Sequence, residues 1–234
     1  MDGQLESAPS ERPHTIGWLR RMWKPRRDSY SEAQLYEDFR IRVHRAVTWM
    51  EAAEARGATE LDTQLIERWV AVEALSGRWD AVERMARSSR VTLNEFAAQL
   101  LRCDVDGLLV ATLTEHKPLG VSILSDKYVS RHFWNDPDGQ TPRDPRKAAH
   151  AAHELWREKR WDVILNRILE RIHFVRCQLL HGGATYNGRL NRNAVKRSSV
   201  MLGRLVPAML EVLMEHGYAD DWSGICYPPL PPGP

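Results

Sequence analysis

The chain has 234 residues, of which 43% are hydrophobic and 27% are charged, with a formal net charge of +2. This composition is ordinary for a globular protein and predicts a folded chain, most simply with one core. Stretches approaching the roughly 18 apolar residues of a transmembrane helix are absent, and the polar N-terminus lacks the apolar core of a secretory signal. Its three cysteines form no CxxC pair and leave one unpaired, which argues against a disulfide framework. We expect a cytoplasmic protein that is neither exported nor membrane-spanning.

The first 28 residues lack hydrophobic periodicity and include three prolines. They are expected to form a flexible basic arm over residues 1–28. Within it, the run WLRRMWKPRR from Trp18 to Arg27 interleaves aromatic and basic side chains that could stack on bases and pair with phosphates. The alternatives are a solvated tail or a helix docked on the body of the protein.

Helical signals then follow in succession. Ser29 and Glu32 read as a capping box for a helix that Gly57 ends, and a second helix is predicted from Thr59 to near Gly77. A shorter amphipathic segment is predicted over residues 79–86. Another helix should open at a second capping pair, Thr92 and Glu95.

The middle of the chain is less regular. β-branched runs in residues 105–134 would allow a short hairpin, but the leucine spacing favours a helix. Residues 135–146 concentrate Pro, Gly, Asn and Asp, which predicts a loop that could divide two lobes. The Pro-rich tail, residues 227–234, should be extended. We therefore predict an all-α chain with a single domain over residues 29–226.

Two further helices are predicted after the loop, and the second ends at Gly182 and Gly183. This helix carries Arg176 and His181. Five residues separate them, which corresponds to about 140° on an ideal helix. Because glycine readily adopts the left-handed conformation that follows helix ends, we expect His181 to swing toward the face that bears Arg176.

Charge is distributed unevenly near this helix end. No Asp or Glu occurs from Arg171 to Leu210. The basic residues of this stretch are Arg171, Arg176, Arg189, Arg192, Lys196, Arg197 and Arg204. A positive field attracts phosphate. The alternative is that acidic residues from elsewhere in the fold neutralise these side chains.

The segment RCQLLHGGATYNGRLNR, residues 176–192, carries a resemblance to a known family. An Arg, four residues and a His at a helix end resemble the defining motif of HEPN domains. The continuation resembles bacterial HEPN proteins of the Apea-like group, with matching positions at Tyr186, Asn187, Asn191 and Arg192. The segments ERWVAVEALSGRWD and FWNDP resemble the same group, so the likeness covers about residues 30–230.

The resemblance implies an up-and-down helical bundle, with additional N-terminal helices, that forms a homodimer with a composite active site. It implies that RNA is the substrate, as it is in many members. The protein would be a toxin or phage-defence effector, and an antitoxin or other defence protein would be a further partner. Arg176 and His181 would then be catalytic. Substrate would be bound by Tyr186, Asn187, Asn191, Arg192, Lys196 and Arg197.

The residue types fit that chemistry. RNA supplies its own nucleophile, the 2′-hydroxyl, so the enzyme must only move protons and stabilise charge. A histidine transfers protons near neutral pH, and an arginine presents a fork suited to phosphate oxygens. Neither a metal nor a cofactor is required, and the products would carry 2′,3′-cyclic phosphate and 5′-hydroxyl ends.

Cys177 departs from the family pattern, which usually places Asn, Asp or His after the motif arginine. Its weaker hydrogen bonding could leave Arg176 or His181 less well oriented. A thiolate nucleophile at Cys177 is a further alternative, although no third group suggests a Cys–His enzyme.

Other interpretations remain open. His150, His153 and Glu154 have a spacing that could place metal ligands on one helical face, but the pattern is not a known zinc motif, and we predict no metal. Arg176 could instead pair with a core carboxylate while His181 merely caps its helix. The protein would then be a non-catalytic RNA- or nucleotide-binding module, or a dimerisation protein.

Overall fold

The computed structural model describes residues 15–29, 36–135, 144–189, 191–222 and 224–227. Over these ranges the chain is all-α, as predicted, with one short antiparallel ladder. The helices are α1 Ile16–Ser29, α2 Glu37–Glu54, α3 Leu61–Ser76, α4 Ser89–Cys103, α5 Leu108–Glu115, α6 Lys117–Leu124, α7 Arg131–Asn135, α8 Pro145–Arg157, α9 Trp161–Leu180 and α10 Arg192–His216. The ladder joins β1 Trp79–Asp80 to β2 Met85–Ala86, and two 3-10 turns cover Lys127–Val129 and Gly217–Ala219.

Helix α10 lies at the centre of the molecule. It packs against α1 to α6 and α9. Its sequence is apolar on several sides, as expected for a helix surrounded by neighbours, and Leu202, Leu205, Met209 and Leu210 are fully buried. Helices α3 and α9 contact both α10 and α4, so the core holds the helix that carries Arg176 in place.

Helix α1 corrects the prediction of a flexible arm. Ile16, Leu19 and Trp23 are buried in the core, and the Trp23 ring meets the Phe39 ring edge-on at 5.7 Å between centroids. The run that begins at Trp18 is therefore a docked helix, the alternative given above. Residues 1–14 lie outside the described ranges.

Several boundaries also differ from the predictions. The capping pair Ser29 and Glu32 does not open a helix at Ser29, because α1 ends there; residues 30–35 lie outside the described ranges. Residues 79–86 form the β1–β2 ladder instead of an amphipathic helix. The Asp80 side chain accepts the backbone N–H groups of Val82 and Glu83, both at 3.0 Å, and this local bonding favours a turn.

The capping pair Thr92 and Glu95 does not open a helix, because both residues lie inside α4, which begins at Ser89. The other helix predictions are confirmed. Helix α3 ends directly before Gly77, α5 and α6 occupy residues 105–134, and α8 and α9 precede the double glycine. Most of the predicted loop, residues 136–143, and the tail, residues 228–234, lie outside the described ranges.

A buried arginine joins the N-terminal helices to the C-terminal segment. Arg42 is only 3% exposed and donates hydrogen bonds to the backbone oxygens of Leu75, Gly77, Trp222 and Gly224 at 2.8–3.1 Å. Burial, reinforced by nearby Arg78, lowers the pKa of the guanidinium to about 10. The side chain therefore remains charged at neutral pH while binding four carbonyl groups inside the core.

Candidate functional site

Helix α9 ends in a Schellman motif built on the double glycine. The backbone N–H of His181 still bonds to the Cys177 oxygen four residues earlier, at 2.9 Å. Gly182 then adopts the left-handed conformation, with φ of 71°, and the Gly183 N–H bonds back to the Gln178 oxygen at 2.7 Å. The prediction that these glycines end the helix is confirmed.

The position of this distortion corrects the predicted swing of His181. Because the helical bonding continues through His181 and the left-handed residue follows it, Arg176 and His181 keep helical positions about 140° apart around the axis. His181 is exposed at the end of the helix, whereas Arg176 is half-buried. The backbone of one chain therefore presents the two residues in different directions.

Arg176 lies in a small polar cluster on α9. Its Nη1 approaches the Cys177 sulfur at 3.8 Å, and that sulfur lies 3.4 Å from Nε2 of His173. The His173 ring packs on the Trp69 ring with 5.4 Å between centroids. Desolvation, and then the charge of Arg176, lower the pKa of His173, which keeps this imidazole neutral near pH 7.

No carboxylate of the described residues engages the guanidinium of Arg176. Among the described residues none forms an ion pair with it, and its Nε is buried without a hydrogen-bond partner. The alternative in which Arg176 pairs with a core carboxylate therefore gains no support from the described part of the chain. Within the described ranges, its outer nitrogen has just the weak contact to Cys177.

Four of the predicted substrate-binding residues line one groove of about 1030 Å³. They are Asn187, Asn191, Arg192 and Arg197. The opposite wall comes from the end of α6 and the following turn and includes Lys127 and Tyr128, which the sequence analysis did not identify. The other two predicted residues, Tyr186 and Lys196, are exposed but do not line this groove.

Asp62 fixes one side of the groove. Its carboxylate accepts two hydrogen bonds from Nη1 of Arg192, at 2.7 and 2.8 Å, and one from the backbone N–H of Asn187 at 2.8 Å. Asn187 and Asn191 both have positive φ, of 53° and 58°, a conformation that asparagine tolerates better than most residues. The loop is thereby tied to the first turn of α3.

Arg197 fixes the other side. It pairs with the Asp126 carboxylate at 2.6 Å and donates to the Ser122 backbone oxygen at 3.1 Å. For Arg192 and Arg197, the alternative that acidic residues from elsewhere in the fold neutralise the basic stretch is thus confirmed. Lys127 and Arg189, which also line the groove, form no ion pair with any described carboxylate, so the groove carries a net positive charge.

A second hollow lies beside this groove, directly after the end of α9. Its volume is about 520 Å³, and it is lined by residues 182–185 together with Gly188 and Arg189. Gly188 and Arg189 line the large groove as well. The two hollows are therefore neighbours, with Gly188 and Arg189 between them.

The structure bears on two further sequence-based questions. In the described ranges, no three His, Cys, Asp or Glu side chains cluster closely enough to hold a metal ion, the neighbourhood of His150 and His153 included. None of the described helices combines the length and apolar character needed to cross a bilayer.

The chain matches none of the protein-family models, curated proteins or solved structures with which it was compared.

Replacing Asp62 with Ala should destabilise the protein by about 2 kcal/mol, because the half-buried Arg192 and the Asn187 N–H both lose their acceptor. Urea unfolding measures the change. The matched control is Asp162→Ala, which removes an exposed carboxylate 3.7 Å from Arg160 and should cost less than about 0.5 kcal/mol. Equal losses in both variants would show that Asp62 does not hold the groove.

Proposed function

We propose that the protein is a metal-independent endoribonuclease of the HEPN type. The observation that carries the proposal is the exposed His181 at the end of α9, next to a hollow that shares Gly188 and Arg189 with a positively charged groove. Such a surface attracts and orients a phosphate backbone. The resemblance of residues 176–192 to the HEPN motif supports the same function.

The proposed reaction needs only groups that this chain and the RNA contain. His181 takes the proton from a 2′-hydroxyl, and the resulting oxygen attacks the adjacent phosphorus. The bond from phosphorus to the 5′-oxygen breaks, and that oxygen receives a proton from a second imidazole. Arg176 stabilises the charge on the phosphorane oxygens. The products are a 2′,3′-cyclic phosphate and a 5′-hydroxyl.

A homodimer would supply the second imidazole. Arg176 and His181 lie in different directions within one chain, so two copies facing each other across α9 would bring both histidines, together with an arginine, to one reacting phosphate. Leu180, exposed by 52% directly before His181, offers an apolar contact for such a pairing. In this proposal the bundle is an up-and-down HEPN fold completed by its partner.

We place this activity in a cytoplasmic toxin or phage-defence effector, restrained by an antitoxin or another defence protein. The three free cysteines, Cys103, Cys177 and Cys226, suit a reducing compartment. A second candidate is a non-catalytic module that binds RNA or nucleotides. It is favoured by the weak contact of Cys177 with Arg176, because an unsupported arginine is poorly oriented for catalysis.

Purified protein in excess EDTA should cleave single-stranded RNA, since no step uses a metal. A labelled RNA resolved on a denaturing gel measures the cleavage, and the same preparation boiled beforehand is the control. Intact RNA that nevertheless forms a salt-sensitive complex would favour the binding module. Intact RNA with no complex would refute both candidates.

A further inference from the structure

Tyr128 projects an aromatic ring at the edge of the groove. Tyr128 is 49% exposed as a residue, the Lys127 amine lies over its ring at 4.8 Å from the centroid, and the Phe133 ring meets that ring edge-on at 5.3 Å between centroids. The Asp126 side chain also accepts the Tyr128 backbone N–H at 3.0 Å. Tyr128 is therefore held by neighbouring groups while about half of the residue stays exposed.

This turn is fixed relative to the opposite wall of the groove. Asp126 bonds both to the Tyr128 backbone and to Arg197 of α10, so one carboxylate joins the two sides. The groove, at about 1030 Å³, is as large as the upper range of pockets for drug-sized ligands, roughly 1,000 Å³, so it can hold more than one nucleotide-sized group.

An exposed tyrosine beside cations that form no ion pair with a described carboxylate is a combination that suits single-stranded nucleic acid. Bases stack on the ring while the backbone follows the positive charge, here Lys127 and Arg189. In a duplex the bases are already stacked and paired, so they cannot reach a ring in this position. We propose that Lys127 and Tyr128 form a base-stacking subsite that selects single-stranded RNA, an inference that rests on the proposed function.

The chain contains a matched control for Tyr128. Tyr227 is 48% exposed and has the Arg45 guanidinium 5.8 Å from its ring centroid. It resembles Tyr128 in exposure and in its neighbouring cation, but it does not line the groove. A general effect of removing an exposed tyrosine would therefore appear in both variants.

The test measures binding of a fluorescent single-stranded RNA by anisotropy, in a His181→Ala background so that the probe stays intact. Tyr128→Ala should weaken binding about tenfold. Tyr128→Phe should bind with the affinity of the parent, because the aromatic ring is kept. Tyr227→Ala should bind within about twofold of the parent. A duplex of the same sequence should bind more weakly and with equal affinity to all variants.

The inference is overturned if Tyr128→Ala binds like the parent, if Tyr128→Phe is as weak as Tyr128→Ala, or if duplex binding falls in parallel. Failure of the parent to bind single-stranded RNA also overturns it. Tyr128→Leu keeps apolar packing on Phe133 and replaces the alanine variant if that variant does not fold. Cleavage is measured separately, with His181 intact. If the RNA is not cut but its binding still requires Tyr128, the proposed function is refuted and the stacking subsite is not.

Discussion

Arg176→Ala and His181→Ala should each lower RNA cleavage by about 10²–10⁴-fold without unfolding the protein. Removing a positioned general acid–base or the charge that stabilises a phosphorane has effects of this order. Initial cleavage rates measure the loss, and melting temperatures within a few degrees of the parent show that the fold persists. Arg176→Lys should recover only part of the activity, because an ammonium keeps the charge but lacks the bidentate fork.

Two variants serve as controls for these losses. Arg167 is exposed on the same helix, and His153 is exposed on α8. Alanine at either position should leave the cleavage rate within about threefold of the parent, as expected for exposed groups outside the site. Retention of full activity by Arg176→Ala and His181→Ala would assign the cleavage to other residues or to a contaminant.

Arg42→Met should lower the free energy of unfolding by about 3–5 kcal/mol. Methionine fills much of the arginine volume but donates no hydrogen bonds, so four carbonyl groups lose their donor inside the core. The desolvation that lowers the pKa of Arg42 offsets part of this loss, because methionine has no charge to bury. Urea unfolding monitored by circular dichroism measures the change.

The control for this prediction is Arg21→Met on α1, where the arginine is exposed. It should change the free energy of unfolding by less than about 0.5 kcal/mol. If Arg42→Met is as stable as Arg21→Met, the carbonyl groups around Arg42 must find other donors, and its role in joining α2 to the C-terminal segment is refuted.

Helices with strong local signals could be predicted from the sequence, and those with weak signals could not. Gly77 and the Gly182–Gly183 pair mark real helix ends. Gly182 adopts the left-handed conformation that glycine favours, whereas at Gly77 a Cβ atom would lie 2.6 Å from the Glu73 backbone oxygen. Helix α1 was missed because Pro25 and the arginines obscure the spacing of Ile16, Leu19 and Trp23. The β1–β2 ladder has two residues in each strand, too few for an alternating pattern to be recognised.

The candidate site was predictable only where its residues are close in the chain. Residues 176–192 bring the end of α9 and one wall of the groove together. The partner of Arg192 is Asp62, 130 residues away, and the other wall comes from Lys127 and Tyr128. Such pairings depend on how α3, α6 and α10 pack, which local patterns do not determine.

The direction of His181 could not be predicted either, because it depends on which residue at the helix end adopts the left-handed conformation. A double glycine predicts a left-handed residue, but not whether it precedes or follows the point where the histidine leaves the helix. Since it follows His181, the histidine remains separated from Arg176 around the axis. This geometry is the reason that a second copy enters the proposed mechanism.

The most direct test of a 2′-hydroxyl mechanism uses two substrates of the same sequence, one an RNA and the other made entirely of 2′-deoxynucleotides. Both are incubated with the protein in EDTA, and mass spectrometry identifies the products. The proposed mechanism predicts that only the RNA is cut and that its fragments end in 2′,3′-cyclic phosphate and 5′-hydroxyl. Cleavage of the 2′-deoxy strand, or fragments ending in 3′-hydroxyl and 5′-phosphate, would contradict it.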